Sequence, residues 1–298
     1  RSFNILQEGD LQIRGFKLRL PLDIQFIFTA NPEDYTNRGS IITPLKDRIE
    51  SQILTHYPKT IDLARQITQQ EARISEKQKD RVQVSDQLQE LIERVSFTAR
   101  ESELIDEKSG VSARLSISGY ENLVSTAERR ALINKEGNTN ARITDFWGVI
   151  PAITGKVELV YEGEQEGPYG VAIKLLGAAI KEAFLENYPN PSKFKKGREK
   201  DPYGTIKAYF AGGNTVNLEN DSSDKAYHKA LDGVAGLEKF VDAYSNNAKD
   251  KYLNMELVLH GLSEFNVISK DVVDSSYSFG DILSNMWEDM GDLDDLDN

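Results

Sequence analysis

The spacing of apolar residues changes at Pro58, and that change sets what each side of the chain can fold into. Upstream, Leu11-Gln12-Ile13 and Phe16-Lys17-Leu18-Arg19-Leu20 alternate apolar with polar positions. Gly15 between them supplies a turn, so a β-hairpin is predicted behind the end of a helix. Residues 23–30 are mostly apolar with one glutamine, which suits a strand buried on both faces of a parallel sheet. Pro32 after Asn31 ends it, because proline cannot continue a ladder. Residues 44–51 read as a short helix and residues 52–57 as the last strand of that sheet, stopped by Pro58.

From Lys59 the spacing becomes helical. Ile61, Ala64, Ile67 and Ala72 fall near one helix face, as do Val84, Leu88, Leu91, Ile92, Val95 and Ala99. Residues 71–81 between them are polar enough to be a helix end or an exposed linker. Ser116 or Ser118 can cap a helix carrying Tyr120, Leu123, Val124, Ala127 and Leu132, with Arg129 and Arg130 on its solvated face. Thr144-Asp145 can cap another, which Pro151 can kink. Residues 155–161 fit either a helix extension or a short strand, and the charged, glycine-rich segment 162–168 marks a boundary. Beyond it we expect an amphipathic helix over 169–187 and a hairpin joining 206–210 to 215–218. Helices near 224–246 and 248–264 follow, with a last helix from Phe279 to Met290. The fold class is therefore α/β at the N-terminus and then mainly α. The expected divisions are 1–58, a helical segment 59–160, a mostly helical domain with a small hairpin over 161–287, and a tail over 288–298.

A chain of 298 residues has room for about two domains. It holds no apolar run approaching the roughly 18 residues that span a bilayer, and no signal-peptide pattern. It opens on Arg1, so a piece of a longer protein is expected. Cysteine is absent, which excludes a disulfide framework and any thiolate site. His56, His228 and His260 show no ligand spacing and read as structural or surface residues rather than metal ligands. The net charge of −12 disfavours nucleic acid as a partner. Half of that charge sits in the last eleven residues, where Leu293 and Leu296 are the large aliphatic anchors, too few to order the tail.

Three residues at element boundaries carry candidate chemistry. Asn31 ends Thr29-Ala30-Asn31-Pro32, Arg48 lies in Pro44-Leu45-Lys46-Asp47-Arg48-Ile49, and Arg114 in Ser112-Ala113-Arg114-Leu115 precedes a helical stretch. An amide at a strand tip can donate to a phosphate and accept from an in-line water. A guanidinium is permanently charged and contacts two phosphate oxygens at once.

In this order the set resembles the second half of an AAA+ ATPase, in the branch of the MoxR proteins and the magnesium chelatase ATPase subunit. Residues 151–168 resemble magnesium-chelatase-like bacterial ATPases more narrowly. The resemblance implies that residues 1–58 are the C-terminal part of the AAA+ core and 59–160 its helical lid. Asn31 would be sensor 1, Arg48 the arginine finger and Arg114 sensor 2, with Asn31 and Arg114 contacting the nucleotide. Ile49 stands where the family carries an aromatic residue. Arg14, Lys17 and Arg19 would lie on the hairpin that points to the ring pore and its partner. The family further implies ATP and Mg2+, a cytoplasmic hexameric ring with chaperone-like activity, and a von Willebrand A domain protein as partner. The sequence holds neither G-x-x-x-x-G-K-[ST] nor an acidic Walker B strand, so turnover is expected of the full-length protein and not of these residues alone. The alternative is a non-catalytic helical adaptor built on a degenerate AAA+ core.

Overall fold

The computed structural model describes residues 10–13, 16–19, 27–29, 49, 51–107, 109–194, 201–244, 248–273 and 276–282. The chain divides into two compact units, 1–57 and 58–298.

In the first unit, β1 (Asp10–Ile13) and β2 (Phe16–Arg19) form the expected antiparallel hairpin. Leu11 stands opposite Leu18 and Ile13 opposite Phe16, so the apolar positions share one face and fix the register. The expected buried strands are not found at the positions described. Residues 27–29 are irregular and exposed, and so are residues 51–56, with Ile27 and Ile53 among the most exposed apolar side chains. A central strand takes both its ladders and both its covered faces from other segments. The described residues of this unit supply a two-stranded hairpin, which offers neither.

The second unit is mainly helical. Thr60 caps α1 (Ile61–Glu71), its hydroxyl accepting from Leu63 N–H. The polar stretch that follows contains a short helix, α2 (Glu76–Arg81), opened by a capping box between Ser75 and Gln78. After β3 (Val82–Gln83), Ser85 caps α3 (Asp86–Glu101), which buries Leu88, Leu91, Ile92, Val95 and Ala99 as the spacing predicts. The next helix, α4 (Arg114–Ile133), begins before the expected serine caps, and Ser116 instead meets Ser96 in the interior, Oγ to Oγ 2.7 Å. β4 (Thr139–Asn140) pairs in parallel with β3. A 3-10 turn (Thr144–Gly148) leads into α5 (Ile150–Thr154), where Pro151 occupies the first turn and so costs no hydrogen bond.

Residues 157–160 are irregular, with one antiparallel bridge from Leu159 to Ile105. Then α6 (Tyr161–Glu166) passes into α7 (Pro168–Asn187) through Gly167, whose φ of +82° favours glycine. α7 packs on α3, and the apolar core runs without a break across position 160. The hairpin expected over 206–218 is corrected: Gly204–Ala211 is a helix, α8. Ile206 and Phe210 are buried and Ala208 is exposed, which is a four-residue repeat and not alternation. β5 (Val216–Leu218) pairs elsewhere, with a strand near the end of the chain. α9 (Asp224–Asp232) and α10 (Leu237–Tyr244), expected as one helix, are parted at Gly233–Gly236, and Gly236 has a φ of +84°. α11 (Lys251–Glu264) is buried on nearly every side. β6 (Ser269–Val273) and β7 (Ser276–Gly280) complete a three-stranded antiparallel sheet in the order β5-β7-β6. Phe279 therefore belongs to a strand and not to the start of a last helix, and the acidic tail lies outside the described residues. Among the described residues no helix is long and apolar enough to cross a membrane.

One close approach in the core joins α7 to α11. A Cβ at Gly261 would stand 2.2 Å from the Phe184 ring, which is itself fully buried. Gly261→Ala should therefore destabilise the fold by about 3 kcal/mol through overpacking. A thermal melt should show a midpoint lower by about 6–12 °C in a unit of this size, whereas an unchanged midpoint would mean the two helices can part without cost.

Candidate functional site

Of the residues singled out in the sequence, Asn31, Arg48 and Arg14 lie outside the described residues. Lys17 and Arg19 lie on β2, in register with Gln12 and Asp10. Arg114 is the first residue of α4 and is exposed. Its backbone N–H donates to Ser112 Oγ at 3.2 Å, and among the described residues its guanidinium has no ion-pair partner. A cation at a helix N-terminus opposes the helix dipole.

Arg129 and Arg130 part company. Arg129 stays at the surface and makes two bonds to the Asp221 carboxylate, at 2.5 and 3.2 Å. Arg130, expected on the solvated face, is completely buried, and all five of its donors are used. Nε and Nη2 hold the two oxygens of Asp145, each at 2.9 Å. Nη1 donates to Thr139 Oγ1 and to Asp224, and Nη2 also donates to the Asn140 carbonyl. Burial pushes the Asp145 carboxyl up. Burial also works against the Arg130 charge, but the hydrogen bonds and charges of Asp145 and Asp224 together raise it further than burial lowers it. With every guanidinium donor satisfied, the charged pair is the state the geometry supports. The sequence held a signal for this: position 130 falls three residues after Ala127 and seven after Leu123, on the buried side of the helix.

A second arginine extends the network. Arg142 donates to the Ser222 carbonyl at 3.1 Å and to the Asp224 carboxylate, and its guanidinium lies 4.1 Å over the Tyr227 ring. Asp224 is held below the usual carboxylate range, since Arg142, Thr139 and Arg130 together outweigh its partial burial. Deeper in, Glu256 on α11 caps the 3-10 turn. Its carboxylate accepts from Ile143 N–H at 2.9 Å, Thr144 N–H at 2.8 Å, the Thr144 hydroxyl and the Tyr227 hydroxyl at 2.8 Å. Burial alone would raise that carboxyl, but the hydrogen bonds from the Thr144 and Tyr227 hydroxyls help to hold it low. His260 is fully buried, edge-on to Tyr277 and Phe279, with neither ring nitrogen hydrogen-bonded and Nε2 3.9 Å from Glu256. Burial lowers its proton affinity, so it is a neutral core residue.

Beside the network a cleft of about 290 Å³ opens between the β3–β4 pair and α9. Arg142, Asp224, Tyr227, His228, Asn140 and Tyr252 are among the residues that line it. His228 stacks on Tyr252 with ring centroids 3.6 Å apart. Apart from His228, which reads there as a structural or surface residue, nothing in the sequence marked these residues, because they come from segments far apart in the chain.

No protein-family model, no curated protein and no solved structure matches this chain.

Proposed function

We propose that this chain is the C-terminal portion of an ATP-hydrolysing AAA+ ring of the MoxR or magnesium-chelatase type, which remodels a protein partner in the cytoplasm. The observation that carries the reading is the ordered set Asn31, Arg48 and Arg114 with the sequence motifs around them. Arg114 adds a physical argument. Its guanidinium is exposed at the start of a 20-residue helix with no ion-pair partner among the described residues, so it fits an anion supplied from outside, such as a nucleotide phosphate. In this reading Asn31 orients the attacking water, Arg48 reaches the phosphates bound by a neighbouring subunit, and Arg114 contacts them from the lid. ATP with Mg2+ supplies the phosphoryl group and the charge neutralisation that its transfer requires. Arg14, Lys17 and Arg19 face the partner at the pore, and a von Willebrand A domain protein is the partner class the family suggests.

The test is ATP turnover by the full-length protein. Arg48→Ala should leave nucleotide binding intact and lower turnover by about 10³-fold or more, the scale of an arginine finger. Turnover at the wild-type level would remove the assignment. The absence of G-x-x-x-x-G-K-[ST] from these residues favours one other reading, a non-catalytic helical adaptor on a degenerate core. A full-length protein with no ATP turnover at all would decide for it.

A further inference from the structure

We propose that α1 (Ile61–Glu71) is a detachable strap, which lifts while the rest of the second unit stays folded, and that the Glu93 carboxyl beneath it sets how firmly it closes. No residue of α1 belongs to the contiguous apolar core, whose first member in chain order is Val82. Leu63 and Ile67 are 44% and 38% exposed, and the residues the helix buries are Ala64 and Thr68. Its hold on the fold is therefore polar. Arg65 reaches the carboxylates of Glu90 at 3.2 Å and Asp86 at 3.4 Å, and Gln69 donates to Gln89 at 2.5 Å. Asp86, Glu90 and Glu93 recur four and three residues apart, on the side of α3 away from Leu88, Ile92 and Val95. So α1 lies along the polar side of an amphipathic helix. Past its end, Arg73 N–H donates to Glu121 of α4 at 2.8 Å. Ion pairs at the surface contribute little to stability, and segments with few buried apolar contacts open well below the free energy of global unfolding.

The anchor under the strap is Glu93. Its carboxylate is buried and accepts from the Thr68 hydroxyl of α1 at 2.5 Å. On the side of α4 it meets Ser116, which is in turn bonded to Ser96. Burial raises this carboxyl above its ordinary value of 4.5, against the Thr68 and Ser116 hydrogen bonds and the Arg100 charge, which lower it. Lifting α1 wets the group and returns it toward the ordinary value, so the closed form holds the proton more tightly. Closure is therefore firmest below pH 4.5 and weakens as pH rises through the closed-state value, by at most about tenfold per pH unit for one proton. Arg65, Asp86, Glu90 and Glu121 also face or hold α1, and protonating those three carboxylates would loosen it in acid, the opposite sign. Glu93→Gln isolates the contribution of the buried group, because a carboxamide still accepts from Thr68 and does not titrate.

The test is amide hydrogen exchange on the 298-residue chain and on its Glu93→Gln variant, between about pH 4.5 and 8, with each rate divided by that of the unfolded chain at the same pH. The α1 amides should exchange about 100-fold faster than those in the middle of α7, the mark of opening apart from the core. Opening of α1 in the unsubstituted chain, relative to Glu93→Gln, should increase as pH rises. A second measurement uses the absence of cysteine: Ala64→Cys places a single thiol on the buried side of α1, and its labelling rate reads the same opening in both backgrounds. Protection of α1 equal to that of α7 would overturn the strap. A pH trend identical in the two chains would overturn the role of Glu93.

Discussion

Glu256→Ala should lower the thermal midpoint of this chain by about 8–16 °C, the shift that about 4 kcal/mol produces in a unit of this size. The carboxylate is fully buried and serves four donors from two distant segments, Ile143 N–H, Thr144 N–H, the Thr144 hydroxyl and the Tyr227 hydroxyl. Removing it strands two backbone N–H groups where water cannot reach them, each at a cost of about 1–3 kcal/mol, and leaves a cavity as well. Glu256→Gln separates the parts of this argument. One oxygen is kept, but an NH2 then faces a donor, so the loss should be smaller than for alanine and still measurable. The pH dependence has a definite sign. The folded carboxyl is held below its ordinary value of 4.5, so its contribution is full above that pH and fades as pH falls through the folded value. The gap in stability between wild type and Glu256→Gln should therefore narrow below pH ~4. A gap that widens in acid would mean the native carboxyl is protonated.

The elements that could be read from sequence are those whose evidence is local. The face of α3 and the length of α7 follow from residues three and four apart on one helix, and the β1–β2 hairpin from alternation around a glycine. Misreadings arose where the deciding partner is remote. Ile206, Ala208 and Phe210 satisfy alternation as well as a four-residue repeat, and packing chose the helix. Phe279 pairs with Val216, 63 positions earlier, which no local pattern announces. The apolar segments at 23–30 and 52–57 have strand composition, but composition becomes a strand only beside other strands. Among candidate site residues, Arg114 at a helix start was legible from the chain. Arg130 was legible only by counting its position from Leu123 and Ala127, and Glu256 not at all, since its backbone donors lie more than a hundred residues away.

Arg130→Met should cost about 3–5 kcal/mol, because it leaves the Asp145 carboxylate buried without its counter-charge. Asp145 has no exposed surface and takes two of its hydrogen bonds from Arg130, the third coming from Arg142 N–H at 2.9 Å. Thr139, the Asn140 carbonyl and Asp224 lose a donor in the same change, so β4 and the start of α9 loosen together. Arg130→Lys should be nearly as damaging: an ammonium offers three donors from one point, and the site asks for five in a planar fork. The informative comparison is the double variant Arg130→Met with Asp145→Leu, measured by urea denaturation. Removing both charges spares the cost of an orphaned carboxylate, so the double variant should be more stable than Arg130→Met alone, with a coupling energy of about 2 kcal/mol or more. Arg130 and Arg142 both reach Asp224, so some coupling will pass through that shared partner as well. Losses that simply add would instead show that Asp145 is served by Arg142 and solvent, and that the buried pair is not what ties α4 to the 3-10 turn.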